Sequence, residues 1–99
     1  MSAIYQILRN EFSYNSASQS GAIYTNNVNV NVTENTFTNN IANSSYIYAD
    51  LNSEAHLGNG GALILDCTDM TTCDLTIHRN IFINNTASKN GGAMSWIDV

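Results

Sequence analysis

The chain has no proline, only three basic side chains, two cysteines, and no long apolar run. Each shortage closes something off. Three basic residues in 99, against eight acidic ones and a net charge of -5, leave no stripe able to neutralise phosphates, so no nucleic-acid partner is expected. No stretch nears the roughly 18 apolar residues of a membrane span, and the opening MSAIYQILRN lacks the apolar segment of a signal peptide; neither a span nor a leader is expected here. Charged residues are only 11%, but low charge signals disorder only when apolar content is also low, and 43% hydrophobic is enough to fold. The length allows one domain, residues 1–99, which at this size buries about two-thirds of its unfolded surface and has a thin core. With proline absent, the turns are left to Asn and Gly.

What the chain does have is Asn, Ser and Thr among β-branched and aromatic residues, a composition that suits stacked strands better than helices. It also repeats itself. Three segments align: YQILRNEFSYNSASQSGAIYT from Tyr5; VNVTENTFTNNIA from Val30, resuming as GNGGALIL; and LTIHRNIFINNTASKNGGAMSW from Leu75. Matching positions run Tyr5, Val30, Leu75; Ile7, Val32, Ile77; Asn10, Asn35, Asn80; Phe12, Phe37, Phe82; Asn15, Asn40, Asn85; Ala17, Ala42, Ala87; and Gly21, Gly61, Gly92, followed by Ala22, Ala62, Ala93. A period of 20–50 residues, with short alternating apolar segments between turn residues, marks a solenoid.

The expected fold is therefore all-β: a parallel β-helix of about three coils, 5–29, 30–74 and 75–99. The middle coil carries an insertion at 43–59, because the first two Phe are 25 residues apart and the second and third 45. Each coil is predicted to hold a strand, an Asn bend, a short strand through Phe, a loop, and a third strand opening at Gly-Ala. Stacking at about 4.8 Å would set each column over itself. Asn at the bend is expected to take the left-handed conformation and to build an amide ladder, and the glycines to supply positive φ at the reversal.

Phe12-Ser-Tyr-Asn15, Phe37-Thr-Asn-Asn40 and Phe82-Ile-Asn-Asn85 alternate with Gly21-Ala22-Ile23, Gly60-Gly61-Ala62-Leu63 and Gly91-Gly92-Ala93-Met94. These pairs resemble the FxxN and GGA[ILV] repeats of chlamydial polymorphic outer membrane proteins, and the Asn-rich GGA repeats of large ciliate surface proteins. Both lie in the pectin-lyase-like superfamily of right-handed parallel β-helices. The resemblance covers nearly the whole chain and departs from the pattern at Ser20 and Met94. It implies an extracellular or cell-surface scaffold, often adhesive, with surface glycans or a cell-surface ligand as partners; it says far less about function than about fold.

Sites are few. Cys67 and Cys73 enclose TDMTT, and a disulfide pinning that turn is the leading reading, with free thiols the alternative; C-x5-C with His78 nearby is a poor zinc set, so no metal is expected. Asn31, Asn43 and Asn84 head N-glycosylation triplets, usable if the chain is exported. Asp66, Asp69 and Asp74 flank one loop. Grouped carboxylates serve some β-helix enzymes, but a turn of acids is more often a solvated rim, and neither an opposed pair nor a basic partner is evident. His56 and His78 lack the partners of a nucleophilic triad. No catalytic residue and no cofactor is expected; a carbohydrate-active enzyme fragment is the rival reading. Tyr24, Tyr46 and Tyr48 could stack on sugars if they face outward, and Trp96, on the face of Met94, is expected in the core. Neither end carries a cap, so either a longer β-helix or end-to-end stacking of copies is expected to order them.

Overall fold

The computed structural model describes residues 3–43, 58–67 and 73–98. Among these residues twelve strands fall into three coils of four. Coil 1 holds β1 (Ile4–Leu8), β2 (Glu11–Ser13), β3 (Ser16–Ala17) and β4 (Ile23–Asn26). Coil 2 holds β5 (Asn29–Thr33), β6 (Thr36–Thr38), β7 (Ile41–Ala42) and β8 (Leu63–Cys67). Coil 3 holds β9 (Leu75–His78), β10 (Ile81–Ile83), β11 (Thr86–Ala87) and β12 (Met94–Asp98). Equivalent strands pair in parallel as four three-stranded sheets, with the coil 2 strand central in each. The chain is thus an all-β parallel solenoid of three coils. Because β7 and β8 each lie directly between their coil 1 and coil 3 partners, they belong to one layer.

The register sets like on like. Phe12, Phe37 and Phe82 are Cα partners, as are Tyr5, Val30 and Leu75, and Ile7, Val32 and Ile77. The Phe rings stack at centroid distances of 5.1 and 4.9 Å, nearly parallel at 12° and 5°. Val30, Val32, Phe37, Ala62, Leu63 and Leu65 form the core, and Ile7, Phe12, Ile23, Leu75, Phe82 and Met94 pack on it from the outer coils. Only the middle coil is covered on both sides. For that reason Phe37 is fully buried while its neighbours in the column are only partly so.

Three findings differ from the sequence expectation. First, a fourth strand, β3, β7 or β11, occupies what was expected to be loop after the second Asn; two residues are too few to show an alternating pattern, and only pairing across coils defines them. Second, the left-handed residue is the one before each ladder Asn: Arg9, Glu34 and Arg79 precede Asn10, Asn35 and Asn80, and Tyr14, Asn39 and Asn84 precede Asn15, Asn40 and Asn85, all with φ of 54–59°. The ladder Asn is occupied with hydrogen bonds, and the residue before it turns the corner. Third, Trp96 is 61% exposed. It does share the inward column of Thr25 and Leu65, but β12 is an edge strand and among the described residues no coil covers the ring.

Candidate functional site

The most heavily built features of the molecule are its corners. At the first, Asn10 N–H donates to Asn35 Oδ1 at 2.9 Å and Asn35 N–H donates to Asn80 Oδ1 at 2.9 Å. The side-chain amides also reach back: Asn35 Nδ2 donates to the Ile7 carbonyl and Asn80 Nδ2 to that of Val32, both at 2.8 Å. The second corner repeats this. Asn15 and Asn40 N–H donate to the Oδ1 of Asn40 and Asn85, while Asn40 and Asn85 Nδ2 donate to the carbonyls of Phe12 and Phe37. Asn35, Asn40, Asn80 and Asn85 therefore each accept from the coil before and return a donor to that coil's backbone. Asn35 and Asn40 are buried, and among the described residues no buried side-chain polar atom lacks a partner.

Two more corners use the same device and escaped the sequence reading. Asn29, buried, accepts from Asp74 N–H at 2.8 Å and donates to the Ala3 carbonyl at 3.3 Å. Asn59, also buried, accepts from Asn90 N–H at 3.1 Å. The signal was present: Asn59-Gly60 and Asn90-Gly91 are the same dipeptide at the same repeat position.

At the glycine corner the two positions do different work. Ser20, Gly60 and Gly91 carry the positive φ, at 48°, 64° and 69°. Gly21 and Gly61 are demanded by close approach: a Cβ there would lie 2.0 Å from the Gly61 carbonyl oxygen and 1.9 Å from that of Gly92. At Gly92 the nearest atom, Asn85 O, is 3.9 Å away. Its column neighbours need glycine because a further coil lies over them.

The remaining candidate residues are scattered. Cys67 and Cys73 form a disulfide with a Cα–Cα distance of 6.3 Å, tying the end of β8 to the approach of β9. Asp69 lies outside the described residues, as do His56, Tyr46 and Tyr48. Asp74, His78 and Arg79 are exposed. Asp66 is buried, its Oδ2 accepting from Tyr24 Oη–H at 2.9 Å. Burial of the phenol, then that hydrogen bond and the nearby carboxylate charge, push the Tyr24 pKa up to about 12. Tyr24 lies on the face of β4 opposite Ile23 and Thr25, half-buried, with its hydroxyl engaged by Asp66. Arg9 pairs with Glu34 at 3.7 Å across the coil boundary, both side chains largely exposed. Among the described residues no three His, Cys, Asp or Glu side chains gather as a metal set, and no helix is long and apolar enough to cross a membrane.

The glycosylation triplets are placed differently. Asn31 is half-buried in mid-strand, between Gln6 and Thr76, and accepts a hydrogen bond from Thr33 Oγ1. Asn84 is exposed at a bend with φ 55°. Asn43 is exposed, but the rest of its triplet lies outside the described residues.

Residues 81–93 match the Chlamydia polymorphic membrane protein repeat. No curated protein sequence and no solved structure matches the chain. In the fold, the polymorphic membrane protein repeat is β10, the Asn84-Asn85 bend, β11 and the glycine corner, which is half of coil 3. The chain is a parallel solenoid resembling such repeats, since the same half-coil recurs at Phe12–Ala22 and, interrupted, at Phe37–Ala62.

Proposed function

We propose that this chain is a structural repeat module of a cell surface or extracellular fibre. The observation that carries the reading is that the matched polymorphic membrane protein repeat coincides with columns that run through all three coils. Their residues hold one coil to the next, and none of their interactions is of the kind that activates a substrate.

The outward positions support the same reading. Neighbouring columns read Gln6, Asn31, Thr76; Ser13, Thr38, Ile83; and Ser16, Ile41, Thr86, uncharged side chains that are mostly Ser, Thr, Asn and Gln, with Ile41 and Ile83 exposed among them. The buried carboxylate, Asp66, is committed to Tyr24. Two measurements test the proposal together. Antibody labelling of intact, unpermeabilised source cells is expected to find the chain outside. Incubation with pectin-like polymers is expected to release no reducing ends and no unsaturated uronates; release of either would replace the module with a carbohydrate-active enzyme.

A further inference from the structure

The corner that leads from one coil into the next is built differently the two times it occurs. Asn26 lies beside Asp66, and Val30 beside Leu75. Between those two ties coil 1 passes through residues 27–29 and coil 2 through residues 67–74, so coil 2 carries five residues more. Hydrogen bonds between the coils fix where they enter. Asn27 N–H donates to the Asp66 carbonyl at 2.7 Å, which makes Cys67 the next residue in step. On the far side Asp74 N–H donates to Asn29 Oδ1 at 2.8 Å and Val30 N–H to the Asp74 carbonyl at 2.9 Å, so Asp74 stands in the place of Asn29. Cys67 therefore replaces Asn27 and Cys73 replaces Val28. The segment TDMTT, 68–72, has no counterpart in coil 1.

The two cysteines thus hold positions that are consecutive in coil 1, where adjacent Cα atoms lie about 3.8 Å apart. Their disulfide holds the Cα atoms at 6.3 Å across a sequence separation of 6. The chain leaves the solenoid at Cys67 and rejoins it close by at Cys73. Neither side of the corner is disturbed by the detour. β8 stays paired with β4 as far as Asp66 and with β12 as far as Cys67, and β9 pairs with β5 from its first residue, Leu75. The bond is also seated in the body of the coil, since Cys67 follows the core residue Leu65 by two and is only 3% exposed.

We infer that the Cys67–Cys73 disulfide is itself the corner of coil 2: it carries the solenoid across an insertion in place of a peptide turn and releases residues 68–72 from any part in the fold. The physical reason lies in loop closure. Without the bond, folding must bring the two ends of the inserted stretch together, at a cost that rises with its length. With the bond, those ends are held together in the folded and the unfolded chain alike, and the length cancels. The stretch becomes a place where sequence is exchanged or extended while β8 and β9 keep their register. In repeat folds, insertions of this kind are where binding sequence is carried, because the columns cannot vary and the loops can.

The test uses the full chain and three changes to it. Lengthening the loop by twenty Gly and Ser residues after Met70 is expected to move the melting temperature of the oxidised protein by no more than about 2 °C. The same extension made together with Cys67→Ser and Cys73→Ser is expected to lower it by roughly 5 °C or more relative to the double serine variant with the loop at its natural length. Replacing residues 67–73 by Asn-Val, the pair found at Asn27 and Val28, restores a peptide corner. That chain is expected to keep the far-ultraviolet spectrum and to melt at the same temperature with and without reductant, whereas the unaltered chain melts lower when reduced. Protection of the Val30 amide from hydrogen exchange reports the register of β9 directly, because its acceptor is the Asp74 carbonyl.

An extension that destabilises the oxidised chain as much as it does the serine variant overturns the inference, since residues 68–72 would then be contributing to the fold. So does an Asn-Val variant that folds but leaves the Val30 amide unprotected, because the two corners would not be equivalent. If the Asn-Val variant does not fold at all, the extension still decides: its effect must appear without the disulfide and vanish with it.

Discussion

Replacing Gly61 with Ala tests the close stacking of coils more directly than any other change. Its Cβ would lie 1.9 Å from Gly92 O, 2.8 Å from Thr86 N and 2.9 Å from Thr86 C. All three are backbone atoms of coil 3, so no side-chain rotation relieves the clash; the layers must part. Parting them strains the hydrogen bonds from Gly61 N–H to Gly91 O at 3.0 Å and from Ala62 N–H to Ala93 O at 2.8 Å. Overpacking costs about 1–3 kcal/mol, and two weakened hydrogen bonds about 0.5–1.5 kcal/mol each. Against this, Ala restricts the unfolded chain and returns about 0.4–1 kcal/mol. The net loss is about 3–4 kcal/mol, a large share of the roughly 5–15 kcal/mol available to a domain of this size. Gly92→Ala is the control: its surroundings are open, its φ is not left-handed, and it should be neutral or gain the unfolded-state term alone. Thermal melts followed by circular dichroism in dilute solution should place Gly61→Ala at least about 12 °C below wild type and Gly92→Ala within a few degrees of it. Equal melting temperatures for the two variants would refute the argument, because the same substitution at the same repeat position differs only in what lies above it.

Asn40→Ala should cost about 3 kcal/mol in urea titration, since it strands Asn15 N–H and the Phe12 carbonyl at a buried corner, whereas Asn15→Ala at the solvent end should cost less than half as much. Reducing the Cys67–Cys73 disulfide, or replacing both residues with Ser, should lower stability by about 2 kcal/mol, the loop-closure value for so short a ring; an unchanged urea midpoint would contradict this. For Tyr24 the folded-state pKa of about 12 stands above the unfolded value of 10.0, so its contribution is complete below pH 10 and is lost as the pH rises from there through 12. Tyr24→Phe should remove that part of the alkaline loss, which paired melts at pH 9 and about pH 11.5 would detect. Expressed through a eukaryotic secretory pathway, the chain should carry glycan at Asn84 and none at Asn31, a difference that glycopeptide mass spectrometry reads directly; modification of Asn31 in the folded chain would show that its strand is not held as described.

Much of this protein could be read before any coordinates. The Phe, Asn and Gly columns are spelled out by repetition, and a residue type that recurs at each turn of a solenoid stacks on itself because strand spacing leaves it no other neighbour. Residues such as Phe37 and Asn40 were thus legible as column members. What was not legible is anything that depends on a residue's exact place within the corner or on the coil beyond it. The sequence suggests the ladder Asn for the left-handed position because Asn tolerates it best; the fold gives that conformation to the residue before it, which is Arg9, Tyr14, Glu34 or Arg79 in four corners and Asn39 or Asn84 in two, because the ladder Asn is needed to bond three backbone and side-chain groups at once.

The amino-acid order by itself determined the number of coils, the column membership and the parallel stacking, all of which follow from a local pattern written three times. Only the tertiary structure decided which copy of a repeated residue is under constraint. Gly61 and Gly92, like Leu65 and Trp96, occupy matching positions in the repeat, yet one of each pair is enclosed and the other open. The physical reason is that enclosure in a solenoid comes from the next layer, and a repeat carries no mark of whether a layer follows it.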